Sequence, residues 1–228
     1  MRFGLLSILL AALFLQAQTA RYYVVFLRPD PARKALSKKD GERIQSMHMA
    51  NLRGLAHDEV LAASGPCDDT PTTISALFIL KVDSIREAQQ IAVHDPTVLK
   101  HRAKADVHAW QGPAGIGDEY TRLLKADPDT PENARVHPLG VLYHATAWGP
   151  GDPTLAAHET YIQQLRKQGA LGAAGDVEAP DEVVGLVLFK AISMEDAQLF
   201  MSRDPAVRAR VLRVEWHRWV IADHVLPW

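Results

Sequence analysis

The chain carries the same spaced marks twice. His48 stands seventeen positions before Gly65, and His158 stands seventeen before Gly175. Ser84 stands eleven positions before the Asp95-Pro96 step and Ser193 eleven before Asp204-Pro205, and thirteen residues beyond each Asp come His108-Ala-Trp110 and His217-Arg-Trp219. The two sets are offset by 109 or 110 residues. A period of that size means two copies of one small domain rather than a solenoid, whose units run about 20–50 residues. A unit of about 90 residues buries only a modest core, so two such units gain by packing on each other. With 47% apolar residues and a formal charge of −2 in 228 residues, the chain has an ordinary globular composition, too weakly charged to point to nucleic acid.

Residues 1–20 read separately. Arg2 precedes an apolar run from Phe3 to Leu15, and Ala17 and Ala20 supply small residues where a signal peptidase could cut. The run is shorter than the roughly 20 residues a membrane-spanning helix needs. An exported protein, periplasmic or extracellular, with no membrane span after cleavage is expected. The one cysteine, Cys67, cannot form an internal disulfide, and Asp68 and Asp69 beside it would raise its pKa rather than activate it. It reads as an inert turn residue.

Each half reads as strand, helix, strand, strand, helix, strand. In the first, Tyr22–Leu27 is β-rich, and Ser37–Leu61 has helical period with Ile44, His48, Leu52 and Leu55 on one stripe. A short strand around Leu61–Gly65 turns into Thr73–Val82, which is apolar on both faces. Ser84 with Glu87, and Ser193 with Asp196, announce capped helices, and final strands carry Ala105–Trp110 and Leu212–Val220. In the second half the expected elements are Gly140–Trp148, Thr154–Gln168, Leu171–Asp176 and Val183–Ile192. The order βαββαβ is that of a ferredoxin-like unit. The fold class is therefore α+β, with units at 21–111 and 139–228 and a linker at 112–138.

His48-Met-Ala-Asn-Leu-Arg-Gly-Leu-Ala-His-Asp-Glu-Val-Leu-Ala-Ala-Ser-Gly-Pro66, followed by Ser84-Ile-Arg-Glu-Ala-Gln-Gln and His94-Asp-Pro96, resembles the YCII-related family of the dimeric α+β barrel superfamily. The second half resembles it through His158 to Gly175, Ser193-Met-Glu-Asp-Ala-Gln and Arg203-Asp-Pro205. The resemblance implies a four-stranded sheet per unit, two sheets face to face as an internal pseudo-dimer, and a site built from the helix His and the Asp of Asp-Pro. The chain departs from the family pattern at Asp176, where the family has Pro, and in the opening strand of the second half, Tyr143–Trp148.

The chemistry can be weighed on the residues themselves. His48 and His158 lie on apolar helix stripes and should face the sheet, where a ring N–H needs a partner. A carboxylate there would orient the imidazole and raise its basicity, as a general base requires, and Asp95 and Asp204 are the recurrent candidates. Each Asp is equally fitted to cap the helix that its Pro begins. His108 with Trp110, and His217 with Trp219, share one face of their strands and could bind a ligand between the sheets, or close the core. Lys81 and Lys190 recur near strand ends as anion anchors or snorkelling cations, and His144 could face the same interior. With histidines scattered and no phosphate-cradling motif, no metal and no cofactor are expected. Two functions follow: a cofactor-free enzyme moving a proton on a small molecule in elimination, isomerisation or hydrolysis, or a non-catalytic binding or structural protein of the cell envelope.

Overall fold

Tyr22–Leu27 is a run of β-branched, aromatic and aliphatic residues buried on both faces, and it forms the middle of strand β1 (Thr19–Pro29). There follow α1 (Lys38–His57), β2 (Leu61–Pro66), β3 (Ala76–Leu80), α2 (Ile85–Val93), α3 (Pro96–Leu99) and β4 (Ala103–Pro113). After α4 (Asp118–Ala126) the same order returns as β5 (Arg135–His144), α5 (Pro153–Lys167), β6 (Leu171–Glu178), β7 (Val183–Phe189), α6 (Met194–Met201), α7 (Pro205–Arg208) and β8 (Leu212–Ile221). This computed structural model describes residues 19–69, 73–145, 153–178, 182–190 and 192–227. The expected signal peptide lies outside them except for Thr19 and Ala20, which pair with Pro113 and Gly112 at the start of β1. No helix among the described residues is long and apolar enough to cross a membrane.

Serines start α1, α2 and α6. Ser37 accepts from the Asp40 N–H, Ser84 from Glu87 and Ser193 from Asp196. Glu87 reaches back one residue further than a capping box requires, accepting from the Asp83 N–H at 3.3 Å.

The eight strands join one antiparallel sheet in the order β2-β3-β1-β4-β6-β7-β5-β8, where two separate sheets were expected. The halves are zipped at β4 and β6, where Ala109 pairs with Glu178 and Trp110 with Val177. The outer edges also meet: Cys67 bridges Trp219, and the Asp68 N–H donates to Arg218 O at 2.9 Å. The sheet thereby curls into a barrel. Its interior holds side chains of both halves, among them Val24, Phe26 and Ile79 against Val141, Leu186 and Leu188. Each large apolar side chain enclosed there contributes about 1.5–3 kcal/mol, so this layer is the main bond between the halves. The helices cover the outside, with Leu52, Ala88 and Ala92 under the first half and Ile162, Leu165 and Ala197 under the second.

The repeated glycines find their reason at the two seams. A Cβ built on Gly65 would stand 1.8 Å from Val220 O in β8, and one built on Gly175 would stand 1.8 Å from Gln111 O in β4. Each half's glycine is the place where the other half's last strand comes in. Trp219 of the second half then donates its Nε1–H to Gly65 O at 3.1 Å.

The opening strand of the second half begins at Arg135 and ends at His144, several residues earlier than the sequence suggests. Pro138 was the misleading residue. It lies where β5 has only β8 beside it, since β7 pairs from Leu139 onward, and a proline is tolerated at such an open edge. The shifted strand also turns His144 away from the interior, because Leu139, Val141 and Tyr143 take the inner positions and His144 is exposed at the strand end.

Candidate active site

His48 sits in the middle of α1 with Ile44 and Leu52, buried against the sheet and stacked on Phe78 at 5.8 Å between ring centres. Its Nδ1 lies 2.7 Å from Asp95 Oδ2, so the ring donates from that nitrogen to the carboxylate. Asn51 donates to the same oxygen at 3.2 Å. The other oxygen, Oδ1, caps α3 by accepting from the Thr97 N–H at 2.9 Å and the Thr97 hydroxyl at 2.5 Å. One buried carboxylate thus orients the imidazole and starts a helix. Burial alone would raise the Asp95 carboxyl. The hydrogen bonds from His48 and Thr97 and the nearby imidazole charge outweigh it and hold the group below the usual carboxylate range.

This lowering has a consequence for acid stability. Asp95 binds its proton less readily when folded than when unfolded, where a carboxyl titrates near pH ~4. Its contribution is complete above the unfolded value and is lost as pH falls through the lower folded value. Urea midpoints measured from pH 7 down to pH ~2.5 should fall steeply below pH ~4 in the native chain and less steeply in Asp95→Asn.

The second half repeats the pair. His158 in α5 is buried with Ile162 and Leu165, and its Nδ1 lies 2.6 Å from Asp204 Oδ2. Asp204 Oδ1 accepts from the Ala206 and Val207 N–H groups at 2.8 and 3.3 Å, capping α7. Here a cavity of about 170 Å³ opens beside the imidazole, lined by His158, Glu159, Gln163, Arg166 and Asp176 with apolar residues behind them. Arg166 is half-buried and donates to Ala174 O at 2.5 Å. Burial lowers its pKa, with the Asp176 charge acting the other way. Neither residue has a like counterpart in the first half, where Ala56 and Pro66 occupy the matching positions.

Residues 141–219, from β5 to β8 and including both members of this pair, match the YCII-related domain. The family match lies within the second half. The chain is similar in fold to a structure described as a candidate chlorite dismutase, at 11% identity over 91% of this chain and 98% of that one, with a TM-score of 0.56. It is similar also to a heme-binding protein from Thermus thermophilus, at 14% identity over 89% of this chain and 94% of that one, with a TM-score of 0.50. No curated protein matches the sequence.

The residues beside His158 in the matched segment do not fit a heme. The space there is about 170 Å³, and charged side chains line it. Pockets for drug-sized ligands run about 300–1,000 Å³ with mostly apolar walls. A wider cavity of about 440 Å³ lies at the mouth of the barrel, but Arg28, Asp106, Glu182, Arg213 and Glu215 line it with charge.

That mouth cavity places the remaining site candidates. His108 lines it, with Nε2 2.9 Å from Asp106 Oδ1. Arg28 bridges the halves, from Asp106 at 3.2 Å to the Tyr143 hydroxyl at 3.3 Å. His217 lies deeper, with Nδ1 2.8 Å from Asp69 Oδ2. Trp110 and Trp219 are buried in the shared core and line neither cavity. Lys81 pairs with Asp118, at the start of α4. Asp106 and Glu215 were missed in the sequence although both halves carry an acid two residues before the His: Asp106-Val-His108 and Glu215-Trp-His217. Arg28 and Tyr143 left no local signal, because the fold alone brings β1 and β5 to one cavity.

Proposed function

We propose that this chain is a fused pair of ferredoxin-like units forming a pseudo-dimeric α+β barrel, exported from the cell, and that its second unit is a small-molecule enzyme using His158 as general base. The reading rests on one observation: the His158–Asp204 pair, 2.6 Å apart and buried, borders a cavity lined by polar groups. With Nδ1 committed to Asp204, Nε2 is the nitrogen left to take a proton from a substrate. Asp204 fixes the ring and stabilises the imidazolium that forms. Arg166 and Gln163 would hold the oxygens of the substrate, and the cavity volume limits it to a small hydroxylated molecule. The reaction is proton abstraction leading to elimination, isomerisation or hydrolysis, with no cofactor taking part.

The test is turnover of a panel of small hydroxylated aromatics, their chlorinated forms and their esters by the full chain. His158→Asn should lower kcat/KM on any substrate found by about 10²–10⁴-fold, while His48→Asn leaves it within about threefold. Equal losses from the two variants, or a His158→Asn chain that melts lower but turns over normally, would refute it. A second reading has a specific observation behind it: both Asp95 and Asp204 cap helices, which a non-catalytic binding or structural protein of the cell envelope would also need.

A further inference from the structure

The two seams of the barrel are built from equivalent segments but held differently. At β4–β6 the strands pair at Ala109–Glu178 and Trp110–Val177, and Glu178 takes hydrogen bonds from Arg21 and Gln111. At β2–β8 there is an isolated bridge between Cys67 and Trp219. Cys67 and Val177 are counterparts, each opposite the Trp of the other half's last strand. Where the first seam has an apolar valine, the second has a thiol, and two further metal-ligand types stand beside it. One donor atom each of Cys67, Asp69 and His217 lies within 4.8 Å of the others.

The surroundings of these donors are those of a cation site. Cys67 and His217 are buried, and Asp69 is partly so. Asp69 Oδ1 accepts from the Arg218 N–H at 2.9 Å, which fixes the carboxylate and leaves Oδ2 toward His217. The imidazole has a carboxylate at each nitrogen: Asp69 at Nδ1, and Glu215 Oε1 3.3 Å from Nε2, buried but without the alignment of a hydrogen bond. A neutral imidazole has one N–H and can donate to only one of the two. A metal ion on one nitrogen would leave the other to donate to its carboxylate, the arrangement in which metal-bound histidines are commonly held.

We infer that Cys67, Asp69 and His217 bind one zinc-class divalent ion that staples β2 to β8. Sulfur, imidazole nitrogen and carboxylate oxygen are the three ligand types of zinc sites, and three protein ligands leave a fourth position for water or a small anion. Cys67 ligates as the thiolate, so its thiol must give up a proton when the metal arrives. Binding forms a metal–sulfur bond and releases that proton to solvent. The site lies at a seam, apart from the His158 cavity, and stands or falls independently of the proposed reaction.

The experiment is a Co²⁺ titration of the full chain after chelator treatment, in the presence of a non-thiol reductant. One equivalent should give a thiolate-to-cobalt charge-transfer band and release one proton per ion from the thiol. Zn²⁺ should raise the melting midpoint by about 5–10 °C at a hundredfold excess over Kd. Cys67→Val, which copies the other seam, should fold normally and lose the band and the zinc-dependent shift together. Absence of the band in the native chain, or the same Co²⁺ affinity and zinc shift in Cys67→Val, overturns the assignment.

Discussion

Asp204→Ala should lower the stability of the chain by about 3–5 kcal/mol and its melting midpoint by roughly 6–20 °C. Two losses combine in that substitution. The His158 N–H, buried at its 2.6 Å partner, is left without an acceptor, and the Ala206 and Val207 N–H groups lose the oxygen that starts α7. Asp204→Asn separates them. Asparagine caps a helix nearly as well as aspartate but carries no charge for the imidazole, so its cost should be about half as large. Thermal and urea unfolding of the two variants measure the difference. Equal costs for Ala and Asn would mean that the cap adds nothing beyond the charge, an Asn variant as stable as the native chain would mean that the charge on Asp204 does nothing for His158, and a cost below about 1 kcal/mol for Ala would mean that neither bond is made.

Gly175→Ala should be at least as damaging, by about 3 kcal/mol or more, and Gly65→Ala should match it. The added methyl carbon would stand 1.8 Å from Gln111 O in the first case and from Val220 O in the second, and both obstacles are backbone. Neither can swing aside as a side chain could, so the seam must open. The same substitution at Gly54, in the exposed face of α1 with nothing within 4 Å, provides the control. There alanine should stabilise by up to about 1 kcal/mol, because it removes backbone freedom from the unfolded chain and fits the helix. If Gly175→Ala behaves like Gly54→Ala, the strands do not meet at β4–β6 as described.

These predictions mark how far the sequence could be read. The helical stripe carrying His48 and the β-rich run Tyr22–Leu27 are local patterns, and local patterns survive translation into structure. The His–Asp pairings across 47 and 46 residues were legible because the His–Gly and Ser–Asp spacings that carry their members each occur twice. The joining of both halves into one sheet was not, since strand pairing at an edge leaves no trace in residue order. Nor was the beginning of β5, because Pro138 signals a break wherever the neighbouring strand is unknown. Cys67 illustrates the general limit. Its sequence neighbours suggested an inert turn, and residue order could not show that its sulfur lies within 4.8 Å of a donor atom of His217.

Because α4 and its flanking segments tie the halves into one polypeptide, their association is insensitive to dilution, unlike that of two free subunits. Each half still supplies the strand against which the other's glycine closes, so neither can be discarded. Within that constraint the halves differ: Arg166 and Asp176 stand on one side where Ala56 and Pro66 stand on the other, and Cys67 answers Val177. Two separate chains encoded by one gene must mutate both sites alike. A tandem chain can keep one site in service while its twin is refashioned or falls silent.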